Sequence, residues 1–555
     1  MNFSSDHFLY RWLPALFFIV SATIFPAHAQ EKFWVVLKDK KGVAFDPYQY
    51  FDAKAIERRQ LQGLPLSDET DKPLNPAYVL KIAQLTDSVS GSSRWLNAVA
   101  CFATPEQVKA LRQQVFVKEI LPFRQQAAVL ANFPVDKEKS LSRKELKILR
   151  NQTASLGAAD FSARGLDGKG VRVAVLDAGF RGVDSEAGFE HLRRNKQILK
   201  TWDFVKRREY AYDYSTHGTM VLSCIGGRMG ENNVGLATGA EFLLARTERM
   251  HSERYSEEEH WLAAMEWADQ NGADIINSSL GYTYNRYFPE QMDGRTSFVA
   301  RAANLAARKG ILVVNANGND GSNKTWKILG TPADADSVLA VGGIDPEDLM
   351  HVDFSSFGPT ATKKMKPNVS AFGVVIAVGP NGSEQTQGTS FASPLVAGFA
   401  ACAWQSNRQL SNMQLFRQIE QSGHLYPYFD YAHGFGVPQA RRFLGETVQE
   451  AEPTIAFERT GNQLTILIKP RFLPQVSPDS IQKAFTGNAP YALPVDFPTP
   501  DYVYYHLVNP KGYLDKYFVV KPGKEAEVAT LNLAYLKPGS QVRVYYRGYT
   551  GTFTY

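Results

Sequence analysis

The sequence predicts an α/β protein built on a doubly wound parallel sheet, with a small α+β domain before it and an antiparallel β-domain after it. The main observation is the regular alternation of strand and helix patterns between residues 171 and 341. Alternation of this kind places helices on both faces of one parallel sheet. The second observation is the tail, residues 450–555, which is rich in Tyr, Val, Thr and Gly and is interrupted by Pro-Gly turns. Such a composition is typical of antiparallel strands, and we expect a β-sandwich-like C-terminal domain.

The first 29 residues have the pattern of a cleaved signal peptide. Arg11 precedes an apolar run over residues 12–25, and Ala27 and Ala29 form a small-x-small cleavage pattern before Gln30. The run is short for a membrane span, although an uncleaved anchor is the alternative. We therefore expect an exported protein, secreted or in the cell envelope, with no membrane span after signal cleavage.

The composition favours a globular protein with several domains. The chain has 555 residues, 44% of them hydrophobic, and a formal net charge of +5, which suits a multi-domain globular protein and indicates no nucleic-acid partner. The three cysteines, Cys101, Cys224 and Cys402, exclude a disulfide framework and offer no paired metal spacing. We expect small buried thiols, although Cys224 and Cys402 lie on two helices that could bring them together.

Residues 30–135 are predicted to form a separate α+β unit that ends in a linker. Strand patterns cover residues 33–38 and 116–121, and a helix pattern covers residues 105–114. The unit has no cluster of His, Cys or paired carboxylates, so by itself it is a binding or folding module. Residues 125–139 mix charge with a proline and show no period, which predicts a linker that a protease can reach.

The central region, residues 141–446, carries the parallel sheet. Its predicted strands and helices follow one another in this order: strand 171–176, strand 241–246, helix 257–270, strand 274–279, helix 298–308, strand 311–314 and strand 337–341. Two of these strands end in glycine-containing loops, residues 277–281 and 315–320, where glycine lets another backbone come close.

Ser390 is the candidate nucleophile of this region. It lies between Gly388 and Pro394 at the start of an apolar helix, where free backbone N–H groups and the helix dipole favour an oxyanion. Pro394 is predicted in the first turn, where a proline costs no hydrogen bond. A helix cap is the alternative interpretation of Gly-Thr-Ser. Because serine is a poor nucleophile by itself, catalysis requires a histidine that a carboxylate holds in place.

Both groups are present earlier in the chain. Asp177 ends a β-branched strand, which is where an open parallel sheet presents functional groups. His217 begins a second apolar helix that is closed by a glycine pair. Considered alone, Asp177 could instead be a structural turn residue, and His217 could be a helix cap or a packed core residue.

With Asp177, His217 and Ser390 in this order, the sequence resembles the subtilisin-like serine proteases, the S8-type subtilases. The resemblance covers residues 141–446. It rests on these motifs: Val-Leu-Asp-Ala-Gly at 175–179, His-Gly-Thr at 217–219, Ser-Leu-Gly at 279–281, Asn-Ala-Asn-Gly-Asn at 315–319, Ser-Phe-Gly-Pro at 356–359, Lys-Pro-Asn-Val at 366–369 and Gly-Thr-Ser-Phe-Ala-Ser-Pro at 388–394.

The resemblance implies a role for each matched residue. Ser390 would attack the peptide carbonyl, His217 would take its proton, and Asp177 would orient the imidazole. Asn319 would donate its amide to the oxyanion beside the Ser390 N–H. The residues implied in substrate binding are Ser279, Leu280 and Gly281 on one strand, Ala316, Asn317 and Gly318 on another, and Gly330 at the base of the first pocket.

The resemblance also implies what the protein does: it would be a secreted serine endopeptidase that acts on proteins or peptides. It would be made as a self-processing precursor, and its N-terminal propeptide would be its intramolecular inhibitor. No cofactor is required for the chemistry. Structural calcium stays open, because the loop 228–234 offers few side-chain oxygens. Ala178 and Phe391 depart from the residues usual in the family, but neither change removes a catalytic group.

Two alternatives remain at this point. One is a catalytically inactive module that uses the fold for binding or adhesion. The other is an esterase, which the absence of a Gly-x-Ser-x-Gly elbow around Ser390 disfavours. For the N-terminal domain, an accessory module without inhibitory function is the alternative to a propeptide.

Overall fold

The structure is a computed structural model that describes residues 31–123, 141–249, 256–284, 286–380, 382–445, 451–474 and 501–555. The predicted signal peptide and the predicted linker 125–139 lie outside the described residues. Three parts follow one another along the chain: an α+β domain, a domain around a seven-stranded parallel sheet, and a pair of antiparallel sheets. The predicted fold class is confirmed.

The N-terminal domain is a four-stranded antiparallel sheet with short helices. Its elements are β1 (Glu31–Leu37), α1 (Pro47–Tyr50), α2 (Ala53–Leu61), α3 (Pro76–Leu85), β2 (Ser88–Ser93), β3 (Ala98–Ala103), α4 (Pro105–Arg112) and β4 (Val117–Pro122). The strand order is β2-β3-β1-β4. Local sequence fixes the start of α4, because Thr104 and Gln107 form a capping box and Pro105 occupies the first turn.

The central domain contains the predicted alternation of strands and helices. Its elements are α5 (Arg143–Ala154), α6 (Ala158–Ser162), β5 (Arg172–Asp177), α7 (Glu190–Arg194), β6 (Ile198–Asp203), α8 (His217–Gly226), β7 (Arg228–Met229), β8 (Asn232–Asn233), β9 (Glu241–Arg246), α9 (Ser256–Gln270), β10 (Ile275–Ser278), α10 (Phe298–Arg308), β11 (Leu312–Ala316), β12 (Val338–Ile344), β13 (Val369–Phe372), β14 (Val374–Gly379), β15 (Gly382–Gln387), α11 (Thr389–Ser406), α12 (Asn412–Gln421) and α13 (Ala440–Phe443).

The order of the parallel strands decides where a site can form. It is β13-β12-β11-β10-β5-β9-β6, so the chain leaves β5 toward one side of the sheet and later returns to its other side. Leu176 of β5 pairs with Ser278 of β10, and Ser278 pairs with Asn315 of β11. The carboxyl ends of these three strands therefore lie side by side at the point where the strand order reverses, which is where open α/β sheets bind ligands.

Helices cover both faces of the sheet. One buried cluster joins the sheet to α5, α8 and α11, and a second joins it to α9 and α10. Every residue of α11 from Thr389 to Trp404 is buried, as its apolar sequence predicts. The second cluster also contains Trp34 and Trp95, so the N-terminal sheet packs on the side of α9 and α10.

Two antiparallel sheets form the C-terminal part of the chain. Their strands are β16 (Ile455–Thr460), β17 (Gln463–Ile468), β18 (Val503–Val508), β19 (Leu514–Val520), β20 (Glu527–Asn532), β21 (Gln541–Tyr546) and β22 (Tyr549–Thr554). The orders are β16-β17-β20 and β19-β18-β21-β22, around one shared cluster of apolar side chains. The predicted turn at Gly461 joins β16 to β17, and its φ of 58° explains the glycine.

The C-terminal sheets dock on the loop that follows α12. Tyr545 Oη donates to the His424 carbonyl at 2.7 Å, and His506 Nδ1 donates to the Phe429 carbonyl at 2.6 Å. Tyr428 stacks on His506 with ring centroids 4.8 Å apart. Aromatic and histidine side chains therefore join the two domains through a buried contact.

Cys101, Cys224 and Cys402 are buried free thiols, so the predicted small buried thiols are confirmed and no disulfide joins Cys224 to Cys402. The loop 228–234 contains the short β7–β8 hairpin. Within the described ranges, no group of three or more His, Cys, Asp or Glu is placed to hold a metal ion. No helix in the same part of the chain is long and apolar enough to cross a membrane.

Candidate active site

Asp177 and His217 are joined by a hydrogen bond at the carboxyl edge of the sheet. Asp177 is the last residue of β5 and is fully buried, and His217 is the first residue of α8. His217 Nδ1 lies 2.8 Å from Asp177 Oδ1. Gly218 makes this approach possible, because a Cβ there would lie 2.4 Å from the Gly179 carbonyl oxygen and 2.9 Å from Asp177 Cβ.

The second oxygen of the carboxylate has a different environment. Asp177 Oδ1 also accepts a bond from the Ala178 N–H at 2.7 Å, whereas Oδ2 is buried with no hydrogen-bond partner among the described residues. Ala178 stands where the family usually has Ser or Thr. The missing hydroxyl thus coincides with an unsatisfied oxygen on the carboxylate that orients His217.

The carboxylate changes the proton affinity of the imidazole. Burial disfavours the charged form of His217, but the Asp177 carboxylate and its hydrogen bond outweigh burial and raise the pKa of His217 above its usual 6.5. The bond also leaves Nε2 as the ring nitrogen that can accept a proton, because Nδ1 donates to the carboxylate.

Ser390 lies in the first turn of α11. The helix is capped by Gly388 without a side-chain bond, so Ser390 is not a helix cap. Its N–H has no acceptor within the helix. Ser390 Oγ donates to the Ser279 carbonyl at 3.3 Å, and no hydrogen bond joins Ser390 to His217. The next residue, Phe391, contacts the imidazole, with ring centroids 5.4 Å apart.

Pro394 differs from its predicted position. It lies inside α11, beyond the first turn, where a proline removes one backbone hydrogen bond. The carbonyl that loses its donor is that of Ser390, four residues earlier. Ser279 Oγ donates to this carbonyl at 2.8 Å and takes the place of the missing N–H.

Asn319 is held beside the start of α11. Its Oδ1 accepts from the Thr389 N–H and from Thr389 Oγ1, both at 2.9 Å, which leaves the Nδ2 amide as the free donor. A Cβ added at Gly388, which has φ 142°, would lie 3.6 Å from Asn319 Nδ2 and 3.7 Å from the Ser390 nitrogen. The two donors therefore face one small space, which glycine keeps open.

The two predicted substrate strands continue β10 and β11 past the edge of the sheet. The Leu280 carbonyl accepts from Asn315 Nδ2 at 3.0 Å, which ties the first segment to the second. Gly281 has open space on its Cα, with nothing within 4 Å of an added Cβ. Ala316 is buried, and Asn317 is fully buried, with its Nδ2 donating to the Ser356 carbonyl at 2.5 Å. The Asn317 side chain is therefore part of the core.

Gly318 and Gly330 lie at the other end of these segments. A Cβ on Gly318 would lie 2.7 Å from Ser356 Oγ, 3.3 Å from Ser356 Cβ and 3.7 Å from the Gly330 nitrogen. A Cβ on Gly330 would meet Thr283 Cγ2 at 2.8 Å. Burial raises the pKa of Asp320, against hydrogen bonds from Asn323 and Thr283. Thr283 thus lies between Gly330 and the carboxylate that follows Asn319.

Sequence reasoning missed two positioning residues, Thr389 and Thr283. The sequence signal for Thr389 is its place between Gly388 and Ser390, a pattern that also fits a helix cap. Thr283 carries no signal of its own, because its contact with Gly330 comes from a bridge between the Tyr282 and Thr331 backbones.

The last described residues of the N-terminal domain before the gap at 124–140 pack close to the start of α10. Phe123 stacks on Trp34 with centroids 5.4 Å apart, and Trp34 packs on Phe298 at the start of α10. Leu121 and Phe123 pack against the same buried cluster as Leu280. The end of the N-terminal domain therefore packs on the face of the sheet that α9 and α10 cover.

Comparison with known proteins agrees with this arrangement. Residues 168–436 match the model of the subtilase family, and residues 32–142 match the peptidase S8 propeptide domain of Bacteroidota. Subtilisin DY of Bacillus licheniformis is 30% identical over 274 residues, which are 49% of this chain and 90% of that protein. Subtilisin E of Bacillus subtilis is 27% identical over 361 residues, 64% of this chain and 82% of that protein.

A solved structure of a cold adapted subtilisin-like serine proteinase covers 49% of this chain and 88% of its own, with 24% identity and a TM-score of 0.39. The subtilase match spans most of the central domain, and the relative from Bacillus licheniformis is matched over nearly its full length. The chain belongs to the subtilase family and is the precursor of a subtilisin-like serine endopeptidase.

Proposed function

We propose that the chain is an exported endopeptidase precursor that hydrolyses peptide bonds through Ser390, His217 and Asp177, with Asn319 as oxyanion donor. The observation that carries the proposal is the 2.8 Å contact between the buried Asp177 carboxylate and the partly exposed His217 imidazole, next to a helix whose first turn presents Ser390. The catalytic unit is residues 141–446, and residues 450–555 form its C-terminal β-domain.

The first half of the reaction forms an acyl-enzyme. Ser390 Oγ leaves the Ser279 carbonyl, turns toward His217 and attacks the scissile carbonyl carbon while Nε2 takes its proton. Asp177 stabilises the imidazolium that forms. The tetrahedral intermediate then collapses, the C–N bond breaks, and the leaving amine takes the proton from Nε2.

The second half regenerates the enzyme. Water attacks the ester carbonyl and gives a proton to Nε2, the C–O bond to Ser390 breaks, and the proton returns to Oγ. In both halves the negative oxygen lies between Asn319 Nδ2 and the Ser390 N–H. Thr389 supports this step, because its two bonds to Oδ1 fix the amide before any charge develops.

Substrate binds as an added strand between Ser279–Gly281 and Ala316–Gly318. Open space at Gly281 and the tie from Asn315 to Leu280 support this placement. Gly330, backed by the methyl group of Thr283, lies at the base of the first specificity pocket. Substrates are proteins or peptides.

The N-terminal domain, residues 30–135 with its linker, is the intramolecular inhibitor. The propeptide match and the packing of Phe123 on Trp34, which contacts Phe298 at the start of α10, support this assignment. In this proposal the enzyme cuts its own linker, residues 125–139. Export follows from the signal-peptide pattern of residues 1–29.

A fluorophosphonate probe tests the assignment directly. We expect the processed wild-type protein to be labelled at Ser390 and to cleave peptides faster than esters of the same side chain. Ser390→Ala should lose both labelling and turnover. An unlabelled wild-type protein would indicate an inactive binding module, and preference for the ester would indicate an esterase.

A further inference from the structure

Arg246 is a buried cation at the carboxyl edge of the sheet, beside the candidate acid. It ends β9, pairs with Asp177 of β5 in the parallel ladder, and is 3% exposed. Nε donates to the Ala178 carbonyl at 3.1 Å, Nη1 donates to Asp203 Oδ2 at 2.9 Å, and the guanidinium carbon lies 3.5 Å from the centroid of the Tyr214 ring. One side chain therefore joins three segments that are distant along the chain.

The first of these segments follows Asp177. The Ala178 N–H donates to Asp177 Oδ1 at 2.7 Å, so the place of residue 178 helps to set the direction of the carboxylate. The Thr247 N–H donates to the Asp177 carbonyl at 2.8 Å. Arg246 donates to the next carbonyl, that of Ala178. A substitution at position 246 can therefore remove the second of these two bonds from β9 and leave the first in place.

The second segment leads into His217. Ser215 Oγ accepts from the His217 N–H at 3.1 Å, and the residue before it, Tyr214, forms an antiparallel bridge with Gly179. The segments before His217 and after Asp177 are in close contact, because a Cβ on Gly179 would lie 2.8 Å from the Ser215 nitrogen. Because its side chain contacts both segments, Arg246 can fix the distance between them.

The third segment supplies the carboxylate that a buried guanidinium needs. Asp203 ends β6 and is fully buried. Its Oδ1 accepts from the N–H groups of residues 205 and 206, both at 2.9 Å, while Oδ2 accepts from Arg246. Arg208 Nε lies 4.0 Å from Oδ2, and Nη2 of the same arginine binds Asp213. Since Asp203 is fixed by its own loop, the ion pair fixes the guanidinium of Arg246 as well.

Arginine suits this position for a geometric reason. A guanidinium is planar and its donors point in fixed directions, so it can bind a carboxylate, bind a carbonyl and lie on an aromatic ring at the same time. An ammonium is a compact point charge on a flexible chain. A lysine at position 246 could therefore pair with Asp203, but it would lose the flat contact with Tyr214 and the directed bond to Ala178.

We propose that Arg246 is a positioning residue for the catalytic pair. It holds the segment after Asp177 against the segment before His217, and so keeps the carboxylate at bonding distance from Nδ1 of the imidazole. The inference rests on the proposed function, in which His217 is the base. Arg246 acts through Ala178 and Tyr214, not on the reacting atoms, so its loss should disturb the geometry of the pair and leave each catalytic group present.

The first measurement observes the pair without turnover. In full-length Ser390→Ala made with isotope-labelled histidine, the pKa of His217 is measured by NMR titration, and His217→Gln identifies its signal. The Asp177 carboxylate raises this pKa above 6.5, whereas burial of the imidazole lowers it. Arg246→Lys keeps a positive charge opposite Asp203 but loosens the contact between the two segments. The carboxylate then acts less strongly on the imidazole, and the pKa of His217 should fall.

The second measurement uses the active chain, with kcat counted per Ser390 that a fluorophosphonate probe labels. Arg246→Lys should lower kcat about 10- to 100-fold with little change in KM, because it misplaces catalytic groups and removes no contact with substrate. Tyr214→Asn removes the ring and tolerates the φ of 70° at this position, and should lower kcat about tenfold. Because both substitutions break the same contact, the double variant should lose less than the product of the two losses.

Arg408→Lys is the matched control. Arg408 Nη2 binds the fully buried Asp274 at 2.8 Å, and the guanidinium lies over the Trp404 ring, but this ion pair is at the edge of the sheet where β10 begins. The control should leave both the pKa of His217 and kcat unchanged. A pKa that Arg246→Lys does not change, or an equal loss of kcat in the two lysine variants, would overturn the proposal.

If Arg246→Lys does not fold, Tyr214→Asn decides by itself, and an unchanged pKa of His217 with an unchanged kcat in that variant would overturn the proposal too. Failure of the proposed function has a different signature. A wild-type chain that takes no fluorophosphonate label and hydrolyses no peptide contradicts the catalytic assignment, while the NMR titration in Ser390→Ala still decides whether Arg246 holds the pair together.

Discussion

Ser279 and Ser390 exchange two hydrogen bonds: Ser279 Oγ donates to the Ser390 carbonyl at 2.8 Å, and Ser390 Oγ donates to the Ser279 carbonyl at 3.3 Å. The first bond exists because Pro394 has no N–H to offer that carbonyl. It fixes the first turn of α11 against the end of β10. The second holds the candidate nucleophile in a resting position, away from His217.

We therefore predict that Ser279→Ala lowers both the stability of the protein and its rate of turnover. The buried Ser390 carbonyl loses its donor, which should cost about 1–3 kcal/mol in the free energy of unfolding. Chemical denaturation measures this change. Ser162→Ala, at an exposed position of α6, should stay within about 0.5 kcal/mol of the wild type. Equal stability of the two variants would show that Ser279 does not support the helix.

The second prediction concerns the oxyanion. Asn319→Ala removes one preorganised donor and should lower turnover about 10² to 10³-fold with little change in substrate binding. Asn317→Ala should affect turnover far less, because its side chain is buried against the Ser356 carbonyl, and it should lower stability instead. Steady-state kinetics of both variants measure these changes in kcat and KM. Near-normal turnover of Asn319→Ala is incompatible with the assignment.

The third prediction concerns pH. His217 acts as a base only when neutral, and its pKa is raised, so kcat/KM should fall as the pH drops through a value above 6.5. Asp177→Asn removes the carboxylate that raises the pKa of His217. The burial of His217, which lowers that pKa, then acts alone. That variant should lose about 10⁴-fold in turnover, and its acid limb should move to lower pH. A wild-type limb below pH 6.5 in the pH-rate profile would contradict the prediction.

The fourth prediction concerns maturation. Removing the nucleophile costs on the order of 10⁶-fold in turnover, so Ser390→Ala made without other proteases should accumulate as a precursor that starts near Gln30. The wild type should lose roughly a hundred residues more from its N-terminus. N-terminal sequencing distinguishes the two. Equal maturation of Ser390→Ala excludes self-processing, and a fully active wild type that has never been cut excludes an inhibitory propeptide.

The fifth prediction concerns the first specificity pocket. Glycine at 330 favours large apolar or aromatic side chains in the substrate, and the nearby Asp320 should allow basic ones. Gly330→Ala places a Cβ 2.8 Å from Thr283 Cγ2, so cleavage after large residues should fall about tenfold relative to small ones. Adding Thr283→Ser removes that methyl group and should restore the preference. A peptide library that is cleaved best after Ala or Gly would refute this account.

Much of the fold was predictable because its signals are local. The helix predicted at 298–308 and the strand predicted at 241–246 match α10 and β9 residue for residue. Each has a clear hydrophobic pattern and a neighbouring turn or cap. The Asp177–His217 contact also followed, since a strand end and a helix start meet at the same edge of a parallel sheet.

Contacts between distant segments were not predictable in the same way. Helix α2 was missed, because a short stretch with two adjacent arginines looks exposed until its partner is known. That partner is Asp269, about 210 residues further on. Pro394 was placed in the wrong turn for a related reason, since the donor that compensates for it is Ser279, more than a hundred residues earlier.

The loop after α12 limits how this enzyme can be recombined with its relatives. Leu425 and Tyr428 share one buried cluster with Tyr504 and Tyr545 of the C-terminal sheets, and Phe429 belongs to a second. In a chain shortened to residue 445, the side chains of Leu425, Tyr428 and Phe429 would form an exposed apolar patch that favours aggregation. The C-terminal sheets are therefore not an exchangeable module: a chimaera that takes them from another subtilase would need the matching loop as well.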